Sequence, residues 1–169
     1  MMVKRIISLT AMSILSCLLF SSIASAALNK ADKMVVIKSK RVMILLKDGE
    51  IIKTYRIALG KNSNGRKTQA GDQKTPEGNY IITSRNSHSK YYRAINISYP
   101  NESDIQNAKR LGVFPGNSIA IHGLPKELED IDKFHRRLDW TDGCIAVTNH
   151  EIDEIWNLIS DGTPIEIKP

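Results

Sequence analysis

Arg41-Val42-Met43-Ile44-Leu45-Leu46-Lys47-Asp48-Gly49-Glu50-Ile51-Ile52-Lys53-Thr54-Tyr55 is the stretch that decides the fold. Apolar and β-branched residues fill both arms, and Asp48-Gly49 lies between them. Asp-Gly tolerates the positive φ of a tight hairpin turn, so the stretch predicts two antiparallel strands, the second running on toward Leu59. Outward from the hairpin the apolar runs stay short. Met34-Val35-Val36-Ile37 precedes it as another strand. A polar, glycine-bearing loop over 60–74 follows, and Thr75-Pro76-Glu77-Gly78 turns the chain into Tyr80-Ile81-Ile82-Thr83. Ala94-Ile95-Asn96-Ile97-Ser98 alternates with period two, as a half-buried strand does. Ser118-Ile119-Ala120-Ile121-His122, Cys144-Ile145-Ala146-Val147 and Ile165-Glu166-Ile167 complete the set of strand-like runs.

Three segments have helical spacing. Residues 103–111 form one, with Ser103 as its expected cap and Gly112 as its stop. Leu128, Ile131, Phe134 and Leu138 predict an amphipathic helix over 126–138, after Pro125. Thr148 or Asn149 caps a third, with Ile152, Ile155, Trp156 and Ile159 on one face and Asp161-Gly162 at its end. Strands outnumber helices and do not alternate with them regularly, which gives a β-rich α+β class.

The amino-terminal residues read as an export signal. Lys4 and Arg5 give a positive start, residues 6–20 are mostly apolar, and Ala24-Ser25-Ala26 offers small residues for cleavage. The apolar run is shorter than a membrane anchor's roughly 20 residues and is spotted with serine. A lipoprotein reading at Cys17 is disfavoured by Leu15 and by the apolar run continuing past the cysteine. Cleavage after Ala26 leaves 143 residues, enough for one domain over 27–169. No second membrane span follows. The net charge of +6 falls to +4 without Lys4 and Arg5, suiting an anionic setting such as a cell wall. The basic residues are scattered without aromatic interleaving, so nucleic acid is not an expected partner.

Cleavage also removes Cys17 and leaves Cys144 alone. Exported proteins usually pair their cysteines or avoid them, so a lone thiol is either a buried small hydrophobe or a working group. Its setting is Trp140-Thr141-Asp142-Gly143-Cys144-Ile145-Ala146-Val147. Gly143 lets the backbone approach a substrate closely. If a helix began just after Cys144, its N–H groups would favour the thiolate and a developing oxyanion. The thiol also needs a base. His122, 22 residues upstream at a strand end and followed by Gly123, is the best candidate. His135 is expected on the polar side of its helix, His150 on a helix surface and His88 in a polar loop. A metal site from Cys144, His122, His135 and Asp142 lacks the close-paired ligand spacing of zinc sites.

With those residues in view, the chain resembles L,D-transpeptidase catalytic domains of the YkuD type. Lys74-Thr75-Pro76-Glu77-Gly78-Asn79-Tyr80 is similar to the family's entry into a central strand. Ile119-Ala120-Ile121-His122-Gly123 is similar to its strand ending in His-Gly, and Thr141-Asp142-Gly143-Cys144-Ile145 to its nucleophile motif. The apparent overlap runs over 34–168. The resemblance implies a mixed β-sandwich or curled sheet with flanking helices. It implies Cys144 as nucleophile, His122 as general base and the Gly123 carbonyl as the group orienting the imidazole. Backbone N–H groups at Gly143 and Cys144 would form the oxyanion hole. The implied donor is a peptidoglycan stem peptide, attacked at its diaminopimelate carbonyl to give a thioester. The implied acceptor is an amine of another stem or of a lipoprotein, or water in a carboxypeptidase or amidase. No metal or organic cofactor is implied.

Two positions depart from the family pattern. Asp142 stands where many members have histidine, and Ala146 where many have arginine. An acidic neighbour would raise the thiol's pKa or bind a substrate amine. Arg136 and Arg137 are candidates to replace the missing arginine, and Trp140, Thr141 and Asp142 complete the expected substrate contacts. Phe134 and Trp140 lie on the segment that separates base from nucleophile, a candidate lid. The expectation is a monomeric exported enzyme of the periplasm or cell wall, with a non-catalytic wall-binding domain as the competing class.

Overall fold

Both hairpin turn residues adopt positive φ, 52° at Asp48 and 84° at Gly49. They join β2 (Val42–Lys47) to β3 (Glu50–Arg56) in antiparallel register, with Met43 opposite Tyr55. The computed structural model describes residues 30–169, and Ala31–Pro169 forms one compact unit. The segment 1–26 read as a signal, with Cys17, lies outside the described residues.

β1 (Lys33–Ile37) pairs antiparallel with β2 and parallel with β8 (Pro164–Lys168). β8 then pairs with β4 (Gly78–Ser89), and β4 with β5 (Tyr92–Ile97). β6 (Ala120–His122) adds antiparallel to β5, and β7 (Ile145–Ala146) adds parallel to β6. The sheet order is β3-β2-β1-β8-β4-β5-β6-β7. Just beyond β3, Ala58 exchanges both backbone hydrogen bonds with Ala146 of β7, each 2.9 Å. The two edges of the mixed sheet therefore meet through an isolated bridge. The architecture is the curled-sheet form of the α+β class. Its core includes Met34, Met43, Ile57, Ile95, Ile121 and Ile145, all fully buried.

Two α-helices flank the sheet. α1 spans Glu102–Leu111 and ends at Gly112 in left-handed conformation. Its cap is Asn101 rather than Ser103: the Asn101 side chain accepts from Asp104 N–H, and Asp104 returns the bond to Asn101 N–H. Asparagine caps as well as serine, and Asp104, three residues on, answers Asn101 as Gln106 could have answered Ser103. α2 spans Asn149–Leu158, is capped by Thr148 with Glu151, and buries Ile152 and Ile155.

The third predicted helix differs. Residues Lys126–Arg137 wind as 3-10 turns. Leu128, Ile131 and Phe134 are spaced by three, the repeat of a 3-10 rather than an α-helix. Ile131, Phe134 and Leu138 stay exposed, at 43, 61 and 75%. His135, expected on the polar side, is instead buried at 3%. His88 lies in strand β4, not in a loop, while His150 is exposed as expected.

Asp104 links α1 to the sheet. Its buried carboxylate accepts from Tyr80 Oη at 2.9 Å and Arg66 Nη2 at 2.7 Å. Asp104→Ala should destabilise the fold by about 3 kcal/mol, since it removes a cap and leaves a buried tyrosine hydroxyl unpaired. Urea unfolding at pH 7 measures this; a midpoint equal to the wild type would show the network to be dispensable.

Candidate active site

Strand pairing brings the two candidate groups together. Ile121 pairs with Ile145 and His122 with Ala146 in parallel register. Cys144 directly precedes β7, so continuing that register sets it beside Ala120, on the face that carries His122 two residues along. Diagonal neighbours at that offset are within reach of longer side chains. The two-residue β7 separates Cys144 from α2, so helix N–H groups do not supply the stabilisation expected from sequence.

His122 is 2% exposed. Its Nδ1 lies 2.7 Å from the Gly123 carbonyl oxygen. A carbonyl only accepts, so Nδ1 carries the proton and neutral Nε2 presents its lone pair. Tyr91 stacks on the ring at 4.3 Å between centroids and 23°, and Trp140 meets it edge-on at 5.7 Å. Burial pushes the imidazole down to about 4, helped by Lys90 and opposed by the Gly123 bond. Between pH 6.5 and 4 the unfolded chain therefore binds a proton that the folded chain refuses. Stability should fall as pH drops through that window, by on the order of 3 kcal/mol. Denaturant midpoints at pH 7 and 4.5 measure it, and His122→Gln should flatten the difference; an unchanged difference would sink the assignment.

A side chain at Gly123 would force Asn149 to move, because an added Cβ would lie 2.5 Å from Asn149 Oδ1 and 3.1 Å from Tyr91 O. Asn149 Oδ1 accepts from Leu124 N–H at 2.7 Å, fixing the chain where it leaves the strand.

Cys144 is half-buried and unpaired in any disulfide. Its Sγ points to Ser118 O at 3.8 Å, a weak donor bond that keeps the proton on sulfur. Burial pushes the thiol up; the Ala120 N–H opposes this and Asp142 adds to it. A raised thiol and a depressed imidazole make each group neutral at rest. Ser118 holds φ at 59°, which places backbone strain next to the thiol.

Thr141 organises the turn before the cysteine. Its Oγ1 donates to Cys144 O at 2.7 Å and accepts from Gly143 N–H at 3.1 Å. The Gly143 N–H is thus engaged inside the turn. Asp142 is exposed at the lip, with Lys61 Nζ 3.1 Å and Gln73 Nε2 3.3 Å from its Oδ1. Arg136 donates to Glu151 at 2.8 Å, and Arg137 stacks over Phe134 at 4.6 Å. Neither guanidinium is bonded to the turn that carries Cys144. Ala146 is fully buried behind it. Among the described residues, no group of three or more His, Cys, Asp or Glu side chains is placed to hold a metal ion.

Tyr91, Ser118 and Asn149 were not foreseen. Each works through a backbone relation or a ring stack across the sheet, and no spacing along the chain encodes that.

Residues 31–167 match the family model described as YkuD, L,D-transpeptidase catalytic domain. The chain belongs to this family. It is 33% identical over 132 residues to YafK of Escherichia coli (strain K12), covering 74% of this chain and 46% of that one. Among solved structures, this family member resembles the helical cell shape determining protein Pgp2 of Campylobacter jejuni. The TM-score is 0.59 at 26% identity, over 84% of this chain and 51% of Pgp2. Bd1075 of Bdellovibrio bacteriovorus gives 0.57 at 26% identity, over 83% and 51%. The chain spans about half the length of these relatives. Among its described residues, no helix is long and apolar enough to cross a membrane.

Proposed function

We propose that this L,D-transpeptidase-family chain is an exported acyl-transfer enzyme that acts on peptidoglycan stem peptides through Cys144. The observation that carries the reading is the Nδ1 bond of His122 to the Gly123 carbonyl, which leaves Nε2 as a base on the face shared with Cys144. Family membership and the cell-shape role in the name of Pgp2 support a wall substrate.

In the proposed cycle, substrate entry turns the thiol from Ser118 O toward Nε2. Nε2 takes the Sγ proton as sulfur bonds to the diaminopimelate carbonyl carbon. Collapse of the tetrahedral adduct breaks the C–N bond, and the imidazolium gives its proton to the departing D-alanine nitrogen. A thioester remains. An amine of a second stem, or of a lipoprotein, then attacks it and frees the thiol; water in that role makes the enzyme a carboxypeptidase or amidase. Cys144 N–H is the first candidate for the oxyanion hole. Gly143 N–H would join only by exchanging its bond to Thr141. Trp140 and Asp142 remain candidate substrate contacts, whereas Arg136 and Thr141 already serve internal bonds. No metal or organic cofactor takes part in this scheme.

Intact-protein mass spectrometry tests the reading. The protein mixed with a disaccharide tetrapeptide and trapped in acid should gain the mass of the acyl stem. Cys144→Ala should gain none. A folded wild type that forms no adduct yet pellets with sacculi would establish the wall-binding class instead.

A further inference from the structure

Cys144 lines an open groove of about 290 Å³, with the loop of Lys67, Ala70 and Gly71 as one wall and the segment from Phe114 to Ile119 as the other. Ala70 N–H donates to Phe114 O at 2.8 Å and ties the walls together at one end. Lys67 is only 4% exposed, yet it lines the groove. Its stem passes beside Gly116, where φ is 85° and an added Cβ would stand 3.7 Å from Lys67 Cε.

Burying an ammonium is costly, and a buried ion pair is weak evidence of a stabilising purpose. The partner, Asp72, is committed to its own loop. It accepts from the N–H groups of Thr68, Gln69 and Lys74 at 2.8, 3.1 and 3.1 Å, besides Lys67 Nζ at 2.7 Å. Burial alone would raise the Asp72 carboxyl, but the Lys67 and N–H bonds more than offset this and hold it below the ordinary range. Four donors thus absorb the Asp72 charge. Lys67 gives one N–H to Asp72 and one to Gln69 O at 3.0 Å. An ammonium has three, so one donor is left for a ligand in the groove. Lys67 is the one cation among the residues that line this groove, and Asp142 is the one carboxylate.

We infer that Lys67 is the carboxylate-recognising residue of the Cys144 groove, donating its remaining N–H to a carboxylate of the donor peptide. The inference rests on the acyl-transfer reading and names what the groove selects. Two carboxylates of a tetrapeptide stem belong to the residues on either side of the bond that Cys144 would break, and so come within reach of its groove: that of the terminal D-alanine and that of the diaminopimelate side chain.

The test is acylation of Cys144, followed as a second-order rate, by the free-acid stem and by two stems, each amidated at one of these carboxylates. Wild type should lose about 10- to 100-fold on one amidated stem, the scale of a hydrogen bond to a charged group; which stem is slow identifies the carboxylate. Lys67→Met should lose a similar factor on the free acid and become indifferent to that amidation, and Lys67→Arg should restore part of the discrimination. A loop-holding role alone predicts that Lys67→Met slows all three peptides equally, which overturns the inference. If Lys67→Met does not fold, Lys67→Met combined with Asp72→Asn removes both charges, and the same ratios decide. A wild type indifferent to both amidations also overturns it, while leaving acyl transfer intact. No adduct with any peptide overturns the acyl-transfer reading and this inference with it.

Discussion

His122→Gln will slow acylation of Cys144 by a stem peptide about 100- to 10,000-fold at pH 7, the range for loss of a positioned general base. The resting groups explain the size. The thiol is raised by burial and bonded to the Ser118 carbonyl, so little thiolate is present at neutral pH without help. The imidazole is neutral well below neutrality and its Nδ1 is spent on Gly123, so its one free nitrogen is a base. These facts also set the pH dependence. With His122 present, the rate should be level from about pH 5 to 8, because the base is already deprotonated and the thiol still protonated. In His122→Gln only spontaneous thiolate reacts, so the rate should climb about tenfold per pH unit toward the raised thiol pKa. Quenched-flow mass spectrometry across pH 5–9 reads both. A wild-type profile that climbs with the same slope would mean that His122 does not take the proton.

The turn that carries Cys144 and the strand-ending histidine are legible in sequence because both sit in short, contiguous patterns. Asp48-Gly49 fixed the hairpin for the same reason: two positive-φ residues between apolar arms admit few other readings. What was not legible depends on contacts between distant segments. The helix expected over 126–138 rested on apolar spacing alone, and spacing by three fits 3-10 turns equally well. His135 looked polar by position, but it packs edge-on against Trp140, a contact that no periodicity announces. Asn101 takes the cap rather than Ser103: the sequence offers two boxes, Asn101 with Asp104 and Ser103 with Gln106, and the first is the one whose carboxylate also bonds Tyr80 and Arg66 across the fold. The stack of Tyr91 on His122 depends on how the β4–β5 turn folds over the end of β6. Lys67 is one of three lysines in the loop over 60–74, and its burial in the Cys144 groove is what separates it from the others.

Gly143→Ala will cost about 2–4 kcal/mol of stability and at least about 100-fold in acylation, because two independent constraints meet at this residue. Its φ of 130° lies where side chains are rarely tolerated. An added Cβ would also lie 2.6 Å from the Lys74 carbonyl oxygen and 3.2 Å from Ile119 Cδ1. The Lys74 oxygen belongs to backbone just ahead of the buried Thr75, and Thr75 Oγ1 accepts from Gly60 N–H at 3.0 Å, so this wall cannot yield cheaply. The turn must open instead. Opening it strains the Thr141 bonds to Gly143 N–H and Cys144 O, and displaces the thiol from its place beside Ser118. Gly162→Ala separates the two constraints. Gly162 also has positive φ, 85°, but an added Cβ there meets nothing within 4 Å. It should therefore cost only the backbone share, roughly 1 kcal/mol, and leave acylation unchanged. Thermal unfolding and adduct formation on both variants give the comparison. If Gly143→Ala loses no more stability than Gly162→Ala and still acylates at the wild-type rate, close approach to Lys74 is not what holds Cys144 in place.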